Sequence, residues 1–311
     1  MGWSRQTAVG VALVFVGLLG CTKVKDHSNK NEHLLSGTLW FQTSGENRAL
    51  QLQAFNLAKR ILDEDLKDRK KKGKRAVVVD VDETVLDNSR YQAWVIKTGK
   101  SYPQGWAKWA RKKTAAAIPG SLEFLNYADK NKVDVFYITN RKQNICAPTI
   151  ENLKKRGFPN VSDKTVLCRT NESGKTARRD AVRKDHRIVV MLGDNLSDFS
   201  YLFDKKSVWD RRKSVEELTA KWGTEFVVLP NPMYGDWEAA IVEHNYGRPN
   251  PELMRMRYDA LTVAHLSDRG KKNNQQKQKK AAPPKKEEKT PEKEAADASP
   301  MLPQGKQTAA L

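Results

Sequence analysis

The chain is 311 residues long, 39% hydrophobic and 30% charged, with 56 Lys or Arg against 37 Asp or Glu and a formal charge of +19. That length allows one large domain or two modest ones, and three cysteines are too few for a disulfide framework. The basic balance suggests affinity for a polyanion, but a solvated basic surface explains it more simply, and no motif for specific nucleic-acid binding is present.

Taken in chain order, the first element is a single basic residue, Arg5, followed by an apolar run from Ala8 to Leu19. The run is shorter than the roughly 20 residues of a membrane span and has the proportions of a secretory signal. It ends in Leu18-Leu19-Gly20-Cys21, which resembles a bacterial lipobox and implies cleavage before Cys21 and lipidation of that cysteine. A plain N-terminal anchor helix is the alternative. Thr22 is not the aspartate that resembles an inner-membrane retention signal, so the expected address is the outer membrane of a Gram-negative bacterium. Residues 21–37 are polar and read as a tether.

From Thr38 the pattern alternates. "ENRALQLQAFNLAKRILDEDL" places Leu50, Ala54, Leu57, Ala58, Ile61 and Leu62 at helical spacing. "RAVVVDVD", "KVDVFYITNR" and "RIVVMLGDN" are β-branched runs ending in polar residues, and "TVLCR" and "EFVVLPN" are weaker copies. Between them lie helical stretches such as "PGSLEFLNYADKN" and "APTIENLKKRGFP", the second stopped at Gly157. Strands alternating with helices predict an α/β fold with an open, mostly parallel, Rossmann-like sheet buried on both faces. The Trp-rich stretch from Tyr91 to Trp109 does not alternate and predicts a small helical cap. The expected domain runs over 38–266. Beyond it, 267–311 carries eleven Lys or Arg, six Asp or Glu and almost nothing apolar, so a disordered tail able to contact anionic cell-envelope polymers is expected. An extracytoplasmic address permits pairing of Cys146 and Cys168, although two buried free thiols are the default.

Ligands of open parallel sheets bind beyond the carboxyl ends of strands. Three strands end there in suggestive chemistry: Asp80 and Asp82; Thr139-Asn140-Arg141; and Gly193-Asp194-Asn195 with Asp198. Any one carboxylate could start a helix. A buried cluster is costly without a cation, and oxygen-only donors with water and phosphate suit Mg²⁺.

"DVDETVLDNS", "FYITNR", "GKTAR" and "GDNLSDF", in that order, resemble the four motifs of the haloacid-dehalogenase-type phosphohydrolases. Within them, the pattern is similar to the bacterial class C acid phosphatases, a lipoprotein 5′-nucleotidase family. "LWFQTSGENRALQLQAFNLAKR" and "LPNPMYGDWE" extend the likeness over residues 39–238. The resemblance implies Asp80 as nucleophile forming an aspartyl-phosphate, and Asp82 as general acid and then base. It implies Mg²⁺ held by Asp80, the carbonyl of Asp82 and Asp194, with Asp198 close by. Thr139 and Lys175 would bind phosphate oxygens. Phosphomonoesters, preferentially nucleoside 5′-monophosphates, are the implied substrates, with Tyr234 stacking on the base and Trp106 a candidate for the pocket wall. Two departures concern substrate preference: Asn47 stands where an aromatic is expected, and Arg90 where proline is usual. A phosphotransferase, a protein phosphatase of the DxDETL type and a non-enzymatic surface lipoprotein are the rivals. Glu83 and Asp87 are expected to serve the turn and helix start.

Overall fold

The computed structural model describes residues 31–68 and 70–264. The expected signal segment, Cys21 and the expected tail from residue 267 lie outside the described residues. Helical structure begins at Glu32, inside the stretch expected to be tether, and buried Asn31 donates to the carbonyls of Val95 (3.1 Å) and Lys100 (2.7 Å). The folded region therefore starts before Thr38.

Helix α1 (Leu35–Thr43) leads into α2 (Gly45–Lys67), whose start is fixed by Ser44, its side chain accepting from the backbone N–H of Asn47 at 3.1 Å. Strand β1 (Lys74–Val79) follows. The chain then makes an excursion through β2 (Leu86–Asp87), α3 (Ser89–Thr98), α4 (Trp106–Lys112) and β3 (Ala116–Ala117). Next come α5 (Ser121–Lys130), β4 (Asp134–Lys142), α6 (Cys146–Arg156), β5 (Val166–Arg169), α7 (Thr176–Asp185) and β6 (His186–Gly193). After α8 (Val208–Glu217) and β7 (Phe226–Val228) the described chain closes with α9 (Asp236–Ile241) and α10 (Asn250–Asp259). β2 and β3 pair antiparallel and close the neck of the excursion, which is the expected cap. Among the described residues no helix is long and apolar enough to cross a membrane.

The main sheet has the order β5-β4-β1-β6-β7 with every pair parallel. The alternation of β1 shows why the sheet is buried on both faces. Val77 and Val79 join the larger core with Phe55, Ala58 and Leu62 of α2, Leu125 of α5 and Leu153 of α6. Ala76 and Val78 point the other way, to Val182 of α7, Met191, Phe199 and Phe226. The chain winds from β1 outward through β4 to β5, then returns to β6 on the other side. The order thus reverses between β1 and β6, where open α/β sheets form their ligand crevice.

Two expectations fail. Leu50 is exposed, and the buried stripe of α2 instead includes Asn47, Gln51 and Asp65. Cys146 and Cys168 are joined in a disulfide across a sequence separation of 22, not left as thiols. Cys146 opens α6 just after β4 while Cys168 lies on β5, and β4 and β5 are neighbours in the sheet.

Candidate active site

The β1–β6 ladder runs one residue past β1: the backbone N–H of Asp80 donates to the Leu192 carbonyl at 3.0 Å. A tight turn follows. The N–H groups of Val85 and Leu86 both donate to Val81 (3.0 and 2.8 Å), and Glu83 N–H to Leu86 (2.9 Å). Asp80 thereby stands at a rigid strand end and Asp82 in the turn just beyond it.

Asp80, Asp194 and Asp198 form one cluster whose ligand oxygens all lie within 4.8 Å of one another. They come from both sides of the point where the strand order reverses. Buried Lys175 ion-pairs with Oδ1 of Asp80 and with Oδ1 of Asp198, the latter at 2.6 Å. Burial pushes the Asp80 carboxyl up to about 7, Lys175 pulling it down and Asp198 and Asp82 adding to the rise. Burial works against the Lys175 ammonium, but Asp198 and Asp80 outweigh it and raise its pKa. Asp194 has hydrogen bonds from Thr84 Oγ1 (3.2 Å) and Asn231 Nδ2 (2.8 Å) but no paired cation among the described residues. Burial, with the charges of Asp198 and Asp80, holds it well above the usual carboxylate range. Three crowded carboxylates with one ammonium leave negative charge uncompensated, and every donor is oxygen. That set fits a hard divalent cation. Asp198 also serves its own turn: its Oδ2 accepts from Asn195 N–H at 3.0 Å.

The side chain of Asp82 turns away from this cluster. Its Oδ1 accepts from Arg141 Nε (2.9 Å) and the terminal nitrogen Nη2 (2.8 Å), and from Asn88 Nδ2 (2.8 Å). Oδ2 has only longer contacts, with Arg141 Nε at 3.3 Å and Thr139 Oγ1 at 3.4 Å, and is the less engaged oxygen. Buried Arg141 also donates to Thr149 Oγ1 (3.1 Å) and Asn88 Oδ1 (3.0 Å). A guanidinium with this many fixed partners cannot swing, so the Asp82 carboxylate is held in place. Thr139 is fully buried beside it, accepting from Arg141 N–H at 3.1 Å.

Both aromatic candidates meet this region by separate routes. The ring of Trp106 lies 5.1 Å from the Arg141 guanidinium carbon, and Tyr91 packs edge-on against it at 5.0 Å. The Tyr234 hydroxyl donates to Glu83. Asn47 lies elsewhere: its side chain donates to the Phe41 carbonyl (2.7 Å) and ties α1 to α2. Arg90 is exposed in the first turn of α3, whose start is instead fixed by Asp87 accepting from Ser89 N–H at 2.7 Å.

Sequence reasoning gave no role to Arg141, Asn88, Thr84 or Asn231. All four sit inside or beside the quoted motifs, and position in the motif was the available signal. It also missed two arginines of α7. Arg178 donates to the Thr139 carbonyl (2.5 Å) and to Asn140 Oδ1 (2.7 Å). Arg179 donates to the carbonyls of Ser197 (3.1 Å) and Asp198 (2.8 Å). Together they tie the helix that carries Lys175 to the ends of β4 and β6.

A parallel sheet with paired acidic motifs across its reversal point, a buried lysine between them and a helical cap is the architecture of a haloacid-dehalogenase-type phosphohydrolase. Residues 24–237 match the family model of the HAD superfamily, subfamily IIIB (acid phosphatase), and the chain belongs to that family. Among solved structures it is similar to the class C acid phosphatase from Bacillus anthracis, 43% identical with a TM-score of 0.73, covering 76% of this chain and 99% of that one. The tungstate-bound form of the same enzyme matches with equal identity and TM-score, over 76% of this chain and 98% of that one. Acid phosphatase 1 from Solanum lycopersicum is 30% identical over 172 residues, 52% of this chain and 59% of the tomato protein, so the match spans less than two thirds of that relative.

Proposed function

We propose that this protein is a Mg²⁺-dependent acid phosphatase that hydrolyses phosphomonoesters in two steps through Asp80, with nucleoside 5′-monophosphates as preferred substrates. The observation that carries the reading is the cluster of Asp80, Asp194 and Asp198 around Lys175 at the reversal point of the sheet. A carboxylate is a weak nucleophile, but phosphoryl transfer depends chiefly on positioning and charge neutralisation. A carboxylate oxygen of Asp80 bonds to phosphorus in line as the bond to the leaving oxygen breaks, and Asp82 gives that oxygen its proton. Asp82, left as the carboxylate by the first step, then takes a proton from the water that attacks the phosphorylated Asp80, releasing phosphate and restoring the Asp80 carboxylate and the protonated Asp82. Asp82 Oδ2, the less engaged oxygen, suits this exchange. Lys175 and Thr139 bind the phosphoryl oxygens. Asp80, Asp194 and Asp198 would hold Mg²⁺, with the Asp82 carbonyl as a further donor; bound there, the ion neutralises the charge of the transferring group.

Tungstate is a tetrahedral oxyanion of phosphate's shape, and its presence in the Bacillus anthracis relative supports an oxyanion site here. Tyr234 and Trp106, both adjoining the Asp82 region, support recognition of a flat leaving group. The reading extends to a lipid anchor at Cys21 on the outer membrane.

A panel of phosphomonoesters assayed with and without Mg²⁺ tests the reaction. Nucleoside 5′-monophosphates are expected to outpace simple aryl phosphates, and equal rates would sink the nucleotide preference. Asp80→Asn should abolish turnover in a folded protein; substantial residual activity would remove Asp80 as nucleophile. Cys21→Ser should release the protein from membranes, and retention would favour an uncleaved anchor.

A further inference from the structure

Glu83 belongs to the opening acidic motif, yet the two-step hydrolysis gives it nothing to do. It is fully buried. Its backbone lies at φ 59°, a left-handed conformation that costs a non-glycine residue about 1–2 kcal/mol. Such strain persists where the surroundings over-determine it, and it gathers at functional sites. Here both carboxyl oxygens are engaged. Oε1 accepts from the backbone N–H of Asn88 at 2.7 Å, and Oε2 accepts from the hydroxyl of Tyr234, 151 residues further along the chain.

Asn88, also fully buried, continues the connection. Its Nδ2 donates to Asp82 Oδ1 at 2.8 Å, while its Oδ1 accepts from Arg141 (3.0 Å) and from Trp109 Nε1 of the cap (2.8 Å). A continuous hydrogen-bonded bridge thus runs from Tyr234 through Glu83 and Asn88 to Asp82.

We propose that Glu83 is a positioning residue that fixes the ring of Tyr234 relative to the proton-transferring carboxylate of Asp82, so that a leaving group stacked on Tyr234 presents its ester oxygen to that carboxylate. The inference rests on the roles of Asp82 and Tyr234 in the proposed reaction. It has a specific chemical consequence. A nucleoside departs as an alkoxide and needs the proton, whereas p-nitrophenolate departs readily without one. Losing the bridge should therefore harm the first substrate far more than the second.

The test compares kcat/KM for adenosine 5′-monophosphate and p-nitrophenyl phosphate in the wild type, Glu83→Gln and Glu83→Met, with thermal melts to verify folding. Glutamine can accept from Asn88 N–H and donate to the Tyr234 oxygen, so its nucleotide-to-aryl ratio should stay close to that of the wild type. Methionine has the length but neither bond, and its ratio should fall about tenfold, the worth of one lost hydrogen bond in a buried site. A methionine variant that loses both substrates in equal proportion, or keeps the wild-type ratio, would overturn the proposal. If it does not fold, Tyr234→Phe breaks the same bridge and leaves the turn intact; an unchanged ratio there is equally fatal. Only the change in ratio is read. A wild type with no nucleotide preference would count against the proposed substrate and leave this comparison standing.

Discussion

Asp65 makes a testable link between the stability of the sheet and the placing of its catalytic end. It sits in the last turn of α2, buried, and takes both neighbouring arginines. Oδ1 accepts from Arg75 Nε (2.6 Å) and from Arg187 (2.8 Å), and Oδ2 from Arg187 (2.6 Å). Arg75 lies on β1 and Arg187 on β6, so one carboxylate ties α2 to the two strands whose far ends carry Asp80 and Asp194. Burial works to raise its pKa, but the hydrogen bonds and charges of Arg187 and Arg75 outweigh it and hold the carboxyl at about 2. In the unfolded chain the value is about 3.9, and the difference, at about 1.4 kcal/mol per unit, is worth about 2.6 kcal/mol. Solvent reaches the arginines, which are 22% and 32% exposed, and screens part of that. Asp65→Asn should therefore cost about 2 kcal/mol at pH 7. The sign follows from a depressed folded value: the stabilisation is complete above about pH 4 and lost as pH falls through about 2. Urea unfolding of both proteins at pH 7 and at descending acid pH reads this directly, and the gap between them should narrow below about pH 4. A gap under about 0.5 kcal/mol at pH 7, or one that stays constant down to pH 2, would refute the reasoning.

Two further outcomes are expected. Mg²⁺ at 100 times its Kd should stabilise the wild type by about 2.7 kcal/mol, and Asp194→Asn should lose most of that gain in a thermal-shift titration; an equal shift in both proteins would remove Asp194 from the ion. Replacing Cys146 and Cys168 together by serine opens a constraint spanning 22 residues and should cost about 3 kcal/mol in denaturant unfolding, and an unchanged midpoint would show the disulfide to be idle.

What the sequence disclosed was what depends on local order. Three valines in a row say that the strand is buried on two faces, and β1 behaves so; the alternation does not carry past its end, because Asp82 lies in the turn and faces Arg141 rather than the carboxylate cluster. The order of the acidic motifs then fixes which strand ends must meet. Features that depend on a partner distant in sequence stayed hidden. The spacing rule put Leu50 on the buried face of α2, but Asn47 and Asp65 take such places because Phe41 and the two arginines supply their hydrogen bonds. Pairing of Cys146 with Cys168 follows only once β5 is known to lie beside β4. Arg141 stands out in the sequence only by its place at a strand end; its role shows once Asp82, Asn88 and Thr149 surround it.

Charge counting at the site gives the proposed need for a divalent cation a physical basis. Asp80, Asp82, Asp194 and Asp198 contribute four carboxylates, while Lys175 and Arg141 contribute two cations, each already bonded to those carboxylates. A phosphomonoester dianion approaching these four carboxylates and their two paired cations meets a net negative centre; Arg178 and Arg179 stand close enough to offset part of it, but both are spent on backbone carbonyls. The excess of positive charge over the rest of the chain can draw the ester toward the protein, but surface charge is screened within about 10 Å at 0.1 M salt and cannot substitute inside the cleft. On the proposed reading, the ion belongs to the resting site and precedes the phosphate. The carboxyl values pushed upward at Asp80 and Asp194 describe the same deficit from the protein's side: burial and the neighbouring carboxylates disfavour their charged forms, and a bound cation would favour them.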